Sequence, residues 1–191
     1  MTRLWQTAKT MALLTVMIAA SAGSSAGQVV ASGVRAVSLD ATMLESLTLS
    51  LSSNAVNFNL NRGSASNPGS NSVTATTTWT LQPALLRHIS VYAFFSNATT
   101  ALSNGAGNNI PSSAFQISDN GGGFQALTNT VPFGGANAGL LLGQSTEFLI
   151  FNMRGSRTDT MNFNIDLSQG TLPSLPAGNY TGTLTIQVQV Q

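Results

Sequence analysis

The sequence predicts an all-β protein built as a single antiparallel sandwich. Apolar and polar residues alternate with period two in segment after segment, as strand side chains alternate faces. Clusters of Gly, Pro, Asn and Asp separate those segments, as turns do. No fixed-period repeat appears, which counts against a solenoid or propeller.

The segments follow in order. Arg3 and Lys9 flank a short start, Met11 to Ala20 is apolar, and Ala20-Ser21-Ala22 reads as a small-x-small cleavage signal. Residues 1–22 are therefore expected to be a secretory signal peptide, with cleavage as late as residue 27. Its apolar run is too short to cross a membrane, and no second run of about 18 apolar residues follows. The mature chain is expected to be exported, to the periplasm, cell surface or an extracellular fibre. Residues 23–45 read as an N-terminal extension and first strand, and 46–191 as one sandwich domain.

Within that domain Leu47, Leu49 and Leu51 alternate with polar residues, as do Val56, Phe58 and Leu60. Val73, Ala75, Thr77, Trp79 and Leu81 share one parity, which makes Trp79 a core anchor. Ile89, Val91, Ala93 and Phe95 follow, then Phe115 and Ile117, and later Met161, Phe163, Ile165 and Leu167. Phe148–Phe151 is apolar on both parities, as for a strand covered on both sides. The best helix candidate is a short piece near Thr42–Ser46, and residues 96–109 and 120–139 read as long loops. The last segment, Tyr180–Gln191, is the most regular: Tyr180, Leu184, Ile186, Val188 and Val190 share a parity opposite Thr and Gln. A Tyr opening that strand after a Pro/Gly/Asn turn can hydrogen-bond back to the turn.

Composition narrows the chemistry. The chain has no cysteine, which excludes disulfides and thiolate metal sites. Lys9 is the only lysine and lies in the signal peptide, so an internal Lys–Asn isopeptide bond is also excluded. Beyond residue 27 the arginines are one fewer than the acids, and only Arg154 and Arg157 lie close together, beside Asp159. A phosphate-backbone partner needs clustered cations, so nucleic-acid binding is not expected. An uncharged surface of Ser, Thr, Asn and Gln suits self-association, since little repulsion opposes it.

No motif announces catalysis, and no enzyme, metal or cofactor is expected. His88 is the only histidine and reads as a strand-end polar residue; a hydrolase built on it would also need a nucleophile and an orienting acid. The six carboxylates are scattered, and nothing favours a glycosidase pair among them. Asp119-Asn120-Gly121-Gly122-Gly123 lacks the alternating acids of a calcium loop and opens no helix to cradle phosphate, so it reads as a turn. Two sequons, Asn97-Ala98-Thr99 and Asn179-Tyr180-Thr181, are unremarkable in so Asn- and Thr-rich a chain. Thr-x-Thr runs (Thr74–Thr80, Thr181–Thr185) invite comparison with a flat ice-binding face. No stacked repeat accompanies them, and the reading is solvent-facing positions filled with β-formers.

The ending Leu175-Pro176-Ala177-Gly178-Asn179-Tyr180-Thr181-Gly182-Thr183-Leu184-Thr185-Ile186 resembles the Ala-Gly-x-Tyr-x-x-x-Leu/Val-Thr-Ile/Val ending of the spore coat protein U-like secreted proteins. These belong with the immunoglobulin-like pilin subunits of chaperone–usher systems. The segment Leu39–Leu49 is similar to the opening strands of small bacterial surface β-domains. The resemblance implies an immunoglobulin-like sandwich missing one strand and completed by an N-terminal extension donated from the next subunit. It also implies a homo-oligomeric fibre, with a periplasmic chaperone and an outer-membrane usher as partners. The candidate donor is Gln28–Met43, where Val37, Leu39, Ala41 and Met43 alternate. The candidate acceptor edge is Tyr180, Leu184, Ile186, Val188 and Val190.

The expected function is thus a secreted structural subunit of a surface fibre or coat, assembling by β-strand complementation. The alternative is a monomeric adhesin-like module that binds glycan through Tyr92, Phe124 or Phe133.

Overall fold

The computed structural model describes residues 38, 39, 41, 44–82, 86–130, 137–147 and 154–191. The expected signal peptide, Val37, Met43, Phe133 and the expected strand Phe148–Phe151 lie outside them. The chain divides between Ala41 and Thr42, and the strands described below belong to the unit Thr42–Gln191.

The strands are β1 (Ser46–Leu51), β2 (Val73–Thr80), β3 (Arg87–Phe94), β4 (Leu102–Ser103), β5 (Asn109–Ile110), β6 (Phe115–Asp119), β7 (Gln125–Ala126), β8 (Asn129–Thr130), β9 (Asn137–Glu147), β10 (Arg154–Ile165) and β11 (Thr185–Val190). They form a five-stranded sheet, β1-β2-β10-β6-β7, a four-stranded sheet, β11-β3-β9-β8, and the hairpin β4-β5. Every described ladder is antiparallel. The predicted all-β antiparallel sandwich is what the chain forms.

Period-two patterning explains the sheets. On β2, Val73, Ala75, Thr77 and Trp79 are buried, while the threonines between them face outward. On β10, Asp159, Met161, Phe163 and Ile165 point inward. Phe115 ties the two sheets together, with its ring 5.1 Å from that of Phe95, 5.7 Å from Phe58 and 5.9 Å from Phe163. Such ring pairs add about 0.5–1.5 kcal/mol beyond the area they bury.

Four expectations are corrected. The short helix near Thr42–Ser46 is not formed at its described residues: Leu44 and Glu45 are irregular and Ser46 opens β1. Glu45 is held from outside, its Oε1 accepting the Gln82 N–H at 2.8 Å and Arg87 Nη1 at 3.2 Å. Val56–Leu60 alternates but is no strand. Only Phe58 bridges Gly69, and Asn57 bonds Ser70 through the Ser70 side chain and backbone. Neither long span is one loop, since 96–109 carries β4 and the first residue of β5, and 120–139 carries β7, β8 and the start of β9.

The last strand is shorter than its pattern. β11 starts at Thr185, because Thr181 pairs instead with Ser103 of β4. Gly182 makes that detour feasible, since a Cβ there would overlap the Ala101 carbonyl oxygen.

Candidate functional site

The outermost strands β1 and β11 end the two sheets on the same side of the sandwich. They converge at one end, where Leu47, Val188 and Val190 pack on buried Trp79, Leu81 and Ile89. Toward the other end they diverge, and a cleft of about 870 Å³ opens between Leu51 on one wall and Leu184 and Ile186 on the other.

Residues of the core form its floor. Phe95, Leu102, Ile110, Phe115, Phe163 and Ile165 all line it. Its polar rim includes Asn54, Asn57, Asn59 and Asn179, and Arg62 is the one charged residue among the described residues that line it. The cleft therefore joins an apolar trough to two strand edges whose outer N–H and C=O groups pair with no further strand among the described residues. A segment that fills it can bury every second side chain and hydrogen-bond through its backbone at once.

Both walls are braced. On one, buried Asn67 donates from Nδ2 to the Ile165 carbonyl at 2.7 Å and to the Ser64 carbonyl at 3.0 Å, and its Oδ1 accepts the Asn61 N–H at 2.6 Å. Asn164 Oδ1 in turn accepts the Asn67 N–H at 2.7 Å. These satisfied amides hold the 61–69 turn beside Val56–Leu60. On the other wall Tyr180 Oη donates to the Pro176 carbonyl at 3.0 Å, the back-bond to the turn that the sequence predicts.

The candidate acceptor residues separate into two groups. Tyr180, Leu184 and Ile186 line the cleft, whereas Val190 belongs to the closed end and Val188 packs toward both. All are half-buried rather than buried, and the face of Tyr180, Leu184 and Ile186 looks into the opening. Of the candidate donor residues, Leu39 is 88% exposed and Ala41 is exposed; Val37 and Met43 lie outside the described residues. Sequence reasoning missed Leu51, Val56, Phe58 and Leu60 as cleft residues. Their apolar alternation is the signal, and it needed a second wall to be read.

A second polar cluster lies between the sheets. The β3–β9 ladder shifts between Val91 and Tyr92, which pair with Gly143 and Leu141. This bulge reverses the parity of β9, turning Gly143 and Ser145 inward. Arg157 uses the space: a Cβ at Gly143 would overlap its guanidinium. Its Nε binds both Asp159 oxygens at 2.8 and 2.9 Å, Nη2 reaches Asp159 Oδ1 at 2.6 Å, and Nη1 donates to Ser145 Oγ at 3.2 Å. The hydrogen bonds to fully buried Asp159 raise the Arg157 pKa further above its ordinary value. Asn120, held at φ 49°, donates to Asp119 Oδ2 and Asp159 Oδ1. Burial, followed by the nearby Asp159 charge, raises the Asp119 pKa.

His88 Nδ1 lies 3.1 Å from Thr146 Oγ1, and no carboxylate orients the ring among the described residues. Among the described residues no three His, Asp or Glu side chains converge as metal ligands. No helix among them is long and apolar enough to cross a membrane. Phe124 is exposed after Gly123, and Tyr92 lies half-buried on the outer face of the second sheet. No family model, curated protein or solved structure matches the chain.

Proposed function

We propose that the chain is a non-enzymatic, secreted structural subunit of a surface fibre or coat, and that its cleft accepts a β-strand from a neighbouring copy. The carrying observation is the cleft itself, in which core side chains such as Phe163 and Ile165 line a trough bounded by two sheet edges that pair with no further strand among the described residues. An exposed edge invites another strand, and a flanking trough selects one with alternate apolar side chains. Leu39 and Ala41, just before β1, have the required spacing, and both are exposed. The near-neutral rim opposes no approach by a second copy. The start of the sequence supports export, which puts assembly outside the cytoplasm.

The test adds a Gln28–Met43 peptide to the mature chain and follows the thermal midpoint, with particle size measured by light scattering and electron microscopy. The reading predicts fibres or higher oligomers of the chain alone, and a raised midpoint and shorter particles with the peptide. A strict monomer that the peptide leaves unchanged overturns it.

A further inference from the structure

The outward positions of β1, β2 and β10 form a two-dimensional grid. Ladder register sets Thr48 beside Thr78 and Thr78 beside Ser156, then Ser50 beside Thr76 and Thr76 beside Thr158. The next rank is Ser52, Thr74 and Thr160: Thr74 is paired with Thr160, and Ser52 with Thr74 through Ser52 N–H to Thr74 O at 2.9 Å and Thr74 N–H to Ser52 Oγ at 2.8 Å. Ser46, Thr80 and Arg154 make the opposite rank. Every position but Arg154 bears a hydroxyl. Strand geometry spaces the ranks at about 6.6–6.8 Å and the columns at about 4.7–4.9 Å.

We propose that this face binds ice. A grid regular in two dimensions is matched rank by rank only by a partner that is itself periodic, and the same face of a second copy would set hydroxyls against hydroxyls with little apolar surface to bury. Among periodic partners, a charged mineral or a nucleic-acid backbone needs opposite charges, and Arg154 at one corner is the only charge on the grid. A crystalline polysaccharide offers sugar-ring faces that bind best on aromatic platforms, and the grid holds no aromatic residue. Ordered water remains. Hydroxyls both donate to and accept from it.

The face is also preorganised. Threonine is stiff at χ1, and cross-strand contacts fix it further: Thr48 Oγ1 to Thr78 Oγ1 at 2.5 Å and Thr74 Oγ1 to Thr160 Oγ1 at 3.5 Å. The periodicity that the sequence lacks as a stacked repeat is supplied by the pairing of three strands far apart in the chain. The proposal is independent of the strand-accepting cleft, which opens on the core side of the same sheet. Assembly of copies would multiply such faces and strengthen adsorption through multivalency.

The test is partition of the mature chain into a slowly growing ice hemisphere, with recrystallisation inhibition as a second readout. Thr76→Lys and Thr158→Lys place charge at the grid centre without touching the core, and Gln169→Lys is the off-face control. Matching thermal midpoints establish that all variants are folded. The wild type and Gln169→Lys are expected in the ice at several-fold the level of a non-binding protein, and both grid variants at its level. Exclusion of the wild type from ice overturns the proposal, as does undiminished partition of the grid variants. Retention on microcrystalline cellulose or chitin without ice partition also overturns it, and assigns the face to a polysaccharide.

Discussion

Leu51 is the ladder partner of Ala75 on the core face of one sheet, yet Leu51 is 43% exposed while Ala75 is fully buried. Partners in an antiparallel ladder point to the same side, so the difference reflects what lies opposite each. Ala75 has the second sheet above it. Leu51, at the sheet's end, faces the cleft.

Truncations should therefore divide by position. Leu51→Ser should lower the stability of the isolated subunit by about 1–2 kcal/mol, since only part of its surface leaves water in that state. Ile117→Ala, in the closed core, should cost about 2–5 kcal/mol. Urea unfolding of the monomeric fraction checks the pair. Leu51→Ser should then weaken assembly disproportionately.

Removing one partner of the inter-sheet ion pair should be severe. Arg157→Met strands the Asp159 carboxylate, which is 0% exposed, and should cost about 3–5 kcal/mol. Arg157→Met with Asp159→Leu should recover most of that loss, because no buried charge is left without a partner. Guanidinium unfolding midpoints of the two variants decide.

Asp119 gives a pH signature. Its pKa is raised in the fold, chiefly by burial and then by Asp159, so between the ordinary aspartate value and the raised one the native state binds the extra proton. The stability it contributes is fully present below the ordinary value and is lost as pH rises through the raised value. Asp119→Asn should accordingly be the more stable protein at neutral pH. The gap in thermal midpoint should close as pH falls below the ordinary aspartate range, and a gap that widens on acidification would refute the assignment.

Much of this architecture was legible in the alternation of single segments. β1, β2, β3, β6 and β10 follow their apolar parity, Trp79 sits in the core as predicted, and Tyr180 bonds back to the Pro176 turn. β9 was hidden because the shift opposite Val91 and Tyr92 breaks its period, and because Gly139 and Gly143 resemble loop residues. The pairing of Arg157 with Asp159 between the sheets was not legible, since nothing local reveals the space above Gly143. Half of the cleft was visible as the apolar parity of Tyr180–Gln191. Its other wall, Leu51–Leu60, lies far away in sequence, and only the fold sets the two face to face.

The absence of cysteine makes cross-linking the most direct test of strand exchange. Leu39→Cys is combined in turn with Leu51→Cys, Leu184→Cys or Ile186→Cys, and the mature chain is mildly oxidised. Donation between copies predicts a ladder of disulfide-linked multimers on a non-reducing gel for at least one combination, and at most a dimer for each single variant. Monomers closed by an internal disulfide, or no cross-link in any combination, would contradict it.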